Sequence, residues 1–180
     1  MQAPLVMTVI GKDRPGLVES LATIIADHGG NWLESRMCRL GGEFAGILRI
    51  HVPAEQQPAL VQALSRLAAQ GLSVVAQPDP AQLAAGTGKE TTLQIVGHDR
   101  PGIVRQITHA LASQGVNVEE LTTECVSAPM SGELLFKAQA KLLIPDSCNM
   151  ATLRAELEKI AGELTVEISF GSSRRSAQAE

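Results

Sequence analysis

The sequence predicts an α+β protein built from two copies of one βαββαβ module, arranged one after the other. The segment Gly11–Gly16 reads Gly-Lys-Asp-Arg-Pro-Gly and returns 86 residues later as Gly-His-Asp-Arg-Pro-Gly in Gly97–Gly102. From Gly11 to Asn31, nine of 21 residues are identical at that offset. Unrelated sequences would share roughly one or two, so the chain is a tandem duplication. Each half also shows the same succession of strand-like and helix-like hydrophobic patterns.

The first module contains six predicted elements. An apolar run predicts a buried strand, and Pro15 after it is expected to open a helix, because the missing N–H of proline costs nothing in the first helical turn. The Gly29-Gly30 pair ends that helix, and Gly41-Gly42 predicts a hairpin turn. In order, the predicted elements are strand Leu5–Ile10, the helix from Pro15, strands Asn31–Leu40 and Phe44–Val52, a helix from Leu60 to Ala68 that ends at Gly71, and strand Leu72–Ala76.

The second module repeats this order, with a longer hairpin at Ser127–Met130. Its predicted elements are strand Thr92–Val96, helix Pro101–Gln114, strands Asn117–Val126 and Leu134–Ile144, helix Met150–Ala161, and strand Leu164–Ser169. This order predicts, in each module, a ferredoxin-like antiparallel sheet with both helices on one face. We expect one domain over residues 1–79, a linker over 80–90, a second domain over 91–170 and a polar tail over 171–180. The other sheet faces carry many apolar residues, so the halves are expected to pair with each other.

Composition excludes several classes of function. The 180 residues carry a net charge of −4 and only 2% aromatic side chains. An acidic chain without stacking aromatics is not expected to bind nucleic acid directly. Three cysteines without a Cys-x-x-Cys pair favour reduced thiols. No signal peptide or apolar run of about 18 residues is present, so we expect a cytoplasmic protein that does not enter the membrane.

The repeated Asp-Arg-Pro-Gly turn precedes a predicted helix in both halves. Its members are Asp13, Arg14, Pro15 and Gly16 in the first copy, and Asp99, Arg100, Pro101 and Gly102 in the second. The glycines would let a ligand approach the backbone, and the helix N-terminus favours a carboxylate. The arginines could clamp the same group. In the alternative interpretation, the aspartates only cap the helix and the glycines only shape the turn.

Asn31 and Asn117 occupy matching positions where the first helix of each module gives way to the second strand. Asparagine tolerates left-handed backbone conformations, so a purely local role in the loop is one interpretation. A free carboxamide could instead contact both the amino and the carboxylate group of a small zwitterion. The sequence leaves both interpretations open.

Catalytic motifs are missing from the sequence. The four histidines show no metal-binding spacing, and no nucleophile elbow or nucleotide-binding glycine motif is present. Cys38 and Cys125 fall in predicted strands, where a small core residue is commoner than a nucleophile. We therefore expect no enzyme activity, no catalytic residues, no metal and no cofactor.

The arrangement strand, Gly-x-Asp-Arg-Pro-Gly, helix, Gly-x-Asn, strand resembles the ACT domain, a regulatory module that commonly binds amino acids. Both halves carry it. A pair of such domains without an attached enzyme resembles the family of glycine cleavage system transcriptional repressors. Formyltetrahydrofolate deformylases carry a similar N-terminal domain, but their catalytic part is absent from this sequence.

The resemblance implies a ligand site at Asp13–Gly16 with Asn31, and at Asp99–Gly102 with Asn117. It further implies a small amino acid ligand, with glycine favoured, and indirect control of transcription through a protein partner such as a transcriptional activator. The alternatives are a regulatory subunit of an amino-acid metabolic enzyme, or a small-molecule binder with an unrecognised activity. Self-association of the chain is left open.

Overall fold

The computed structural model describes residues 1–79, 87–128 and 132–171, together with the backbone of 174–175. The chain divides into two compact units, Met1–Leu83 and Ala84–Glu180. Residues 80–86 of the predicted linker, and 172–173 and 176–180 of the predicted tail, lie outside the described residues, as do residues 129–131 of the lengthened hairpin.

The first unit contains a four-stranded antiparallel sheet and two α-helices. Its elements are β1 (Gln2–Lys12), α1 (Leu17–Asp27), β2 (Asn31–Leu40), β3 (Glu43–Pro53), α2 (Gln57–Ser65) with a 3-10 extension over Arg66–Gln70, and β4 (Leu72–Pro78). The strand order across the sheet is β2-β3-β1-β4, so β1 and β3 are central. This is the predicted βαββαβ module.

The second unit repeats the same topology, with the order β6-β7-β5-β8. Its elements are β5 (Lys89–His98), α3 (Ile103–Ser113), β6 (Asn117–Ser127), β7 (Leu134–Ile144), α4 (Met150–Leu164), β8 (Val166–Phe170) and a two-residue strand β9 (Arg174–Arg175) that pairs with β5. The α+β class and the tandem organisation are thereby confirmed.

Several predicted element boundaries were wrong, among them the first helix start of each unit and the start of the last strand. Pro15 does not open α1: Gly16 is the N-cap residue, with φ +89°, and the helix begins at Leu17. The second unit repeats this arrangement, with Gly102 as N-cap at φ +95°. Leu164, predicted to start the last strand, is instead the final residue of α4, because Thr165 takes a left-handed conformation and ends the helix there.

Each unit has its own aliphatic core between the sheet and its helices. In the first unit, alternate residues of β1 point into this core, as Leu5, Met7 and Val9 show. In the second, Leu93 and Ile95 do the same from β5. The period of two places the intervening residues on the opposite, uncovered face of each sheet.

The uncovered faces of the two sheets differ in chemistry. On the first sheet, Ile10, Ile47 and Val75 are 54%, 54% and 52% exposed. The register places Gln139 of the second sheet at the position of Ile47, and Ser169 at that of Val75. The open face of the first sheet is therefore the more apolar of the two, although Val96, at the position of Ile10, is also 39% exposed on the second.

Candidate functional site

The first Asp-Arg-Pro-Gly turn connects the end of β1 to the start of α1. The backbone N–H of Asp13 donates to the carbonyl of Gly42 in the β2–β3 hairpin, at 3.0 Å. The Asp13 carboxylate pairs with Nε of Arg39 at 2.7 Å, and Arg14 donates to the carbonyl of Gln70 at 3.4 Å. Asp13 therefore anchors the turn to β2 and does not cap α1, whose N-cap shows no side-chain hydrogen bond.

The left-handed glycine gives this turn its shape. Gly16 has φ +89°, a backbone region that side chains disfavour. A Cβ built on Gly16 would meet nothing closer than 3.9 Å, so the space beside this backbone is open. The Gly16 carbonyl accepts the N–H and the hydroxyl of Ser20 at 2.9 and 2.8 Å, which starts the helix. The first N–H groups of α1 remain available to an anion.

The second Asp-Arg-Pro-Gly turn has the same backbone conformation as the first, but different side chains surround it. The N–H of Asp99 donates to the carbonyl of Leu134 at 3.1 Å, and the carbonyl of Gly102 accepts the N–H of Gln106 at 3.0 Å. Arg100 forms no hydrogen bond or ion pair with another residue in the described part of the chain. Its guanidinium is available to a carboxylate.

Charge distinguishes the two helix starts. Glu19 lies in the first turn of α1, and the offset of 86 residues places Arg105 at the same position of α3. Because a helix N-terminus already attracts anions, a cation there adds to the attraction and a carboxylate opposes it. The second turn is therefore the more favourable of the two for a carboxylate.

Asn31 and Asn117 lie at the opposite end of their sheets from these turns. Asn31 is opposite His51 in β3, which in turn is opposite Pro4 near the start of β1. Nine residues separate Pro4 from Asp13, a distance of about 30 Å along the strand. Asn117 has the matching position in the second unit: it is opposite Leu143 in β7, which is opposite Glu90 near the start of β5. The structure therefore brings Asp13–Gly16 together, and Asp99–Gly102 together, but neither turn with the asparagine of its own unit.

All ten predicted site residues are exposed to solvent. Access is thus open at both turns and at both asparagines. Among the described residues, no group of three or more His, Cys, Asp or Glu side chains could hold a metal ion.

The cysteines correct one prediction. Cys38 and Cys125 lie in strands, but both are exposed rather than in the core, because β2 and β6 are edge strands. Desolvation, together with the charge and hydrogen bond of the Asp99 carboxylate, raises the pKa of the Cys125 thiol. A raised pKa keeps this thiol protonated and makes it a poor nucleophile.

Comparison with known families identifies the fold. The ACT domain matches residues 3–77 and again residues 87–167. The chain is a tandem ACT-domain protein. Sequence relatives include the glycine cleavage system transcriptional repressors of Escherichia coli K12 and Shigella flexneri, each 23% identical over 167 residues, which is 91% of this chain and 86% of the relative.

Solved structures agree with the tandem ACT fold. A crystal structure of an unknown protein from Galdieria sulphuraria has a TM-score of 0.80 and 29% identity, covering 94% of this chain and 98% of that one. A structure assigned to a candidate glycine cleavage system transcriptional repressor has a TM-score of 0.70 at 19% identity, covering 98% of this chain and 99% of that one. In the described part of the chain, no helix has the length and apolar character needed to cross a membrane.

Proposed function

We propose that this tandem ACT protein senses a small amino acid, with glycine favoured, and regulates a protein partner in the cytoplasm. The observation that carries the proposal is the pair of repeated turns, each with a left-handed glycine, open backbone space and helix-start N–H groups that no side chain in the described part of the chain caps. These groups suit a carboxylate. The similarity to glycine cleavage system repressors over 91% of the chain supports regulation as its role.

The ligand would be shared between two ACT units. The turn of a unit and its own asparagine are about 30 Å apart, far more than a small amino acid spans. If both the turn and the asparagine contact one ligand, they must come from different ACT units. We therefore propose that each ligand is held by the turn of one ACT unit and the asparagine of a different ACT unit, which belongs to this chain or to a second copy of it.

In each site the ligand's carboxylate would accept N–H groups at the start of α1 or α3, and Arg14 or Arg100 would add a charge-assisted hydrogen bond. The asparagine's side-chain carbonyl oxygen would accept a hydrogen bond from the ligand's ammonium group. Because Arg100 forms no hydrogen bond or ion pair within the described residues and Arg105 is nearby in sequence, the site at the second turn should bind more tightly.

Regulation would act through protein contact rather than through DNA. The chain carries a net charge of −4, which opposes binding to phosphates. The exposed apolar side chains of Ile10, Ile47 and Val75 form the kind of surface that protein interfaces use. We infer a transcriptional activator of the glycine cleavage system as the partner, since the sequence relatives are repressors of that system.

Four experiments test this proposal. A thermal-shift screen of the twenty amino acids should single out glycine, since a ligand at 100 times its Kd adds about 2.7 kcal/mol of stability. A pull-down of the purified activator should succeed with the wild-type chain, weaken with Ile47→Glu, and be unchanged with Gln139→Glu, the same change at the matching position of the second sheet. A sequence-dependent gel shift of promoter DNA by the chain alone would contradict indirect control. Recovery of a metabolic enzyme instead of the activator from native cells would favour a regulatory subunit.

A further inference from the structure

The second ACT unit contains a cavity at the end of its sheet remote from the Asp-Arg-Pro-Gly turn. Its volume is about 270 Å³, and Lys89, Thr91 and Arg154 are among the residues that line it. Lys89 begins β5, whereas Asp99 follows the end of that strand, so this cavity is distinct from the site at the turn.

One residue that lines the cavity, Thr91, is shorter than its counterpart in the first repeat. Thr91 occupies the position that Leu5 holds in the first unit: Thr91 lies opposite Leu142, and Leu5 opposite Ile50. Leu5 is buried in the first core. The shorter Thr91 leaves space, and its hydroxyl donates to the carbonyl of Gly171 at 3.3 Å.

Three charged side chains line this space at positions that are apolar in the first unit. The strand register matches Lys89 to Ala3. Asp146 matches Ala54, because each of these two residues follows the proline at the end of an equivalent strand. Arg154 follows the first buried leucine of α4, where α2 has Val61. Three apolar positions of the first repeat are thus two cations and one carboxylate in the second.

The three charged side chains are exposed, and one of them, Arg154, contacts an aromatic ring. Within the described part of the chain, Lys89, Asp146 and Arg154 form no ion pair. The guanidinium of Arg154 lies 5.0 Å from the ring centre of Phe170, which holds it beside the cavity. Phe170 and Met150 supply apolar lining to the same space.

We propose that this cavity binds an α-amino acid with an apolar side chain. Lys89 and Arg154 would bind its carboxylate, Asp146 its ammonium group, and Phe170 and Met150 its side chain. This binding site goes beyond the proposed glycine site and is independent of it, because it uses neither turn and neither asparagine.

Calorimetric titration of the full chain with L-leucine tests the proposal. The wild type should bind it, and the double variant Lys89→Ala/Arg154→Val, which restores the residues of the first repeat, should lose roughly 10- to 100-fold in affinity. Lys159→Ala removes a cation of α4 outside the cavity lining and should bind as the wild type does. Leucinamide, which lacks the carboxylate, should not bind to the wild type.

A second variant and a second readout guard against loss of folding. Thr91→Leu fills the cavity with the residue of the first repeat and should abolish leucine binding while the circular dichroism stays native. Cys148 lines the cavity and is the only thiol left in the background Cys38→Ser/Cys125→Ser, where leucine should slow its alkylation.

Two results would overturn the cavity site: no leucine binding by the wild type, or binding that survives Lys89→Ala/Arg154→Val and is lost in Asn31→Ala/Asn117→Ala. Glycine, which has no apolar side chain, tests the other site in a separate titration, so the failure of one proposal is distinguishable from the failure of the other.

Discussion

Nε of Arg39 lies 2.7 Å from the carboxylate of Asp13, and in the second repeat Cys125 replaces that arginine beside Asp99. The registers show the equivalence: Arg39 is opposite Phe44, and Cys125 is opposite Phe136. The same backbone turn thus holds an aspartate paired with an arginine in the first unit and an aspartate beside a thiol in the second. The two repeats have kept their geometry while their electrostatics have diverged.

The first prediction concerns the Cys125 thiol. Its pKa is raised by desolvation and by the Asp99 carboxylate, so at a given alkaline pH less of it is thiolate. Asp99→Asn removes the charge, which should lower the pKa and speed alkylation of Cys125 by iodoacetamide. The pH profile of the alkylation rate, followed by mass spectrometry in the background Cys38→Ser/Cys148→Ser, should move to lower pH. An unmoved profile would show that Asp99 does not act on this thiol.

The second prediction concerns the left-handed N-cap glycine. Gly102 has φ +95° and open space around it, so an added Cβ meets backbone strain but no clash. Gly102→Ala should lower the free energy of unfolding by about 1–2 kcal/mol. Gly162→Ala is the matched control in the last turn of α4, also in open space and without a positive φ.

The control should stabilise the same unit by about 0.5–1 kcal/mol, because alanine is the better helix former. Urea unfolding of both variants measures the difference. Equal effects of the two substitutions would contradict a left-handed Gly102.

The third prediction tests which face of the first sheet is covered. Leu48 is buried and its neighbour Ile47 is exposed on the open face. Leu48→Ala should cost about 2–5 kcal/mol, whereas Ile47→Ala should stay within about 0.5 kcal/mol of wild type. Urea unfolding of both variants measures these losses of unfolding free energy. A large loss for Ile47→Ala would place that side chain in a packed interface.

Much of the fold could be predicted from the sequence because the hydrophobic periodicity and the positions of the turn glycines indicate the same element boundaries. The hairpin at Gly41-Gly42 and the strand starting at Asn31 are where the pattern predicted them. The helix start was wrong by two residues, since proline's preference for the first turn gave way to the left-handed Gly16. Leu164 was misplaced because an apolar residue at a helix end also fits the start of a buried strand.

The candidate site was harder to predict than the fold. The sequence motif correctly indicated a turn between β1 and α1, but grouping that turn with Asn31 overlooked the direction of the chain. Because α1 runs back along the sheet, its end lies far from its start, and so does the asparagine that follows it. The exposure of Cys38 and Cys125 could not be read from their strands, since edge strands show no clear alternation of burial.

The most direct test of amino-acid sensing is a glycine titration of the wild type and of Asn31→Ala/Asn117→Ala by calorimetry. Both asparagines are exposed and outside the cores, so the double variant should fold normally. Losing a hydrogen-bond partner in each site should weaken glycine binding roughly 5- to 150-fold. Glycine binding of equal affinity in both proteins, or none in the wild type, would contradict the account.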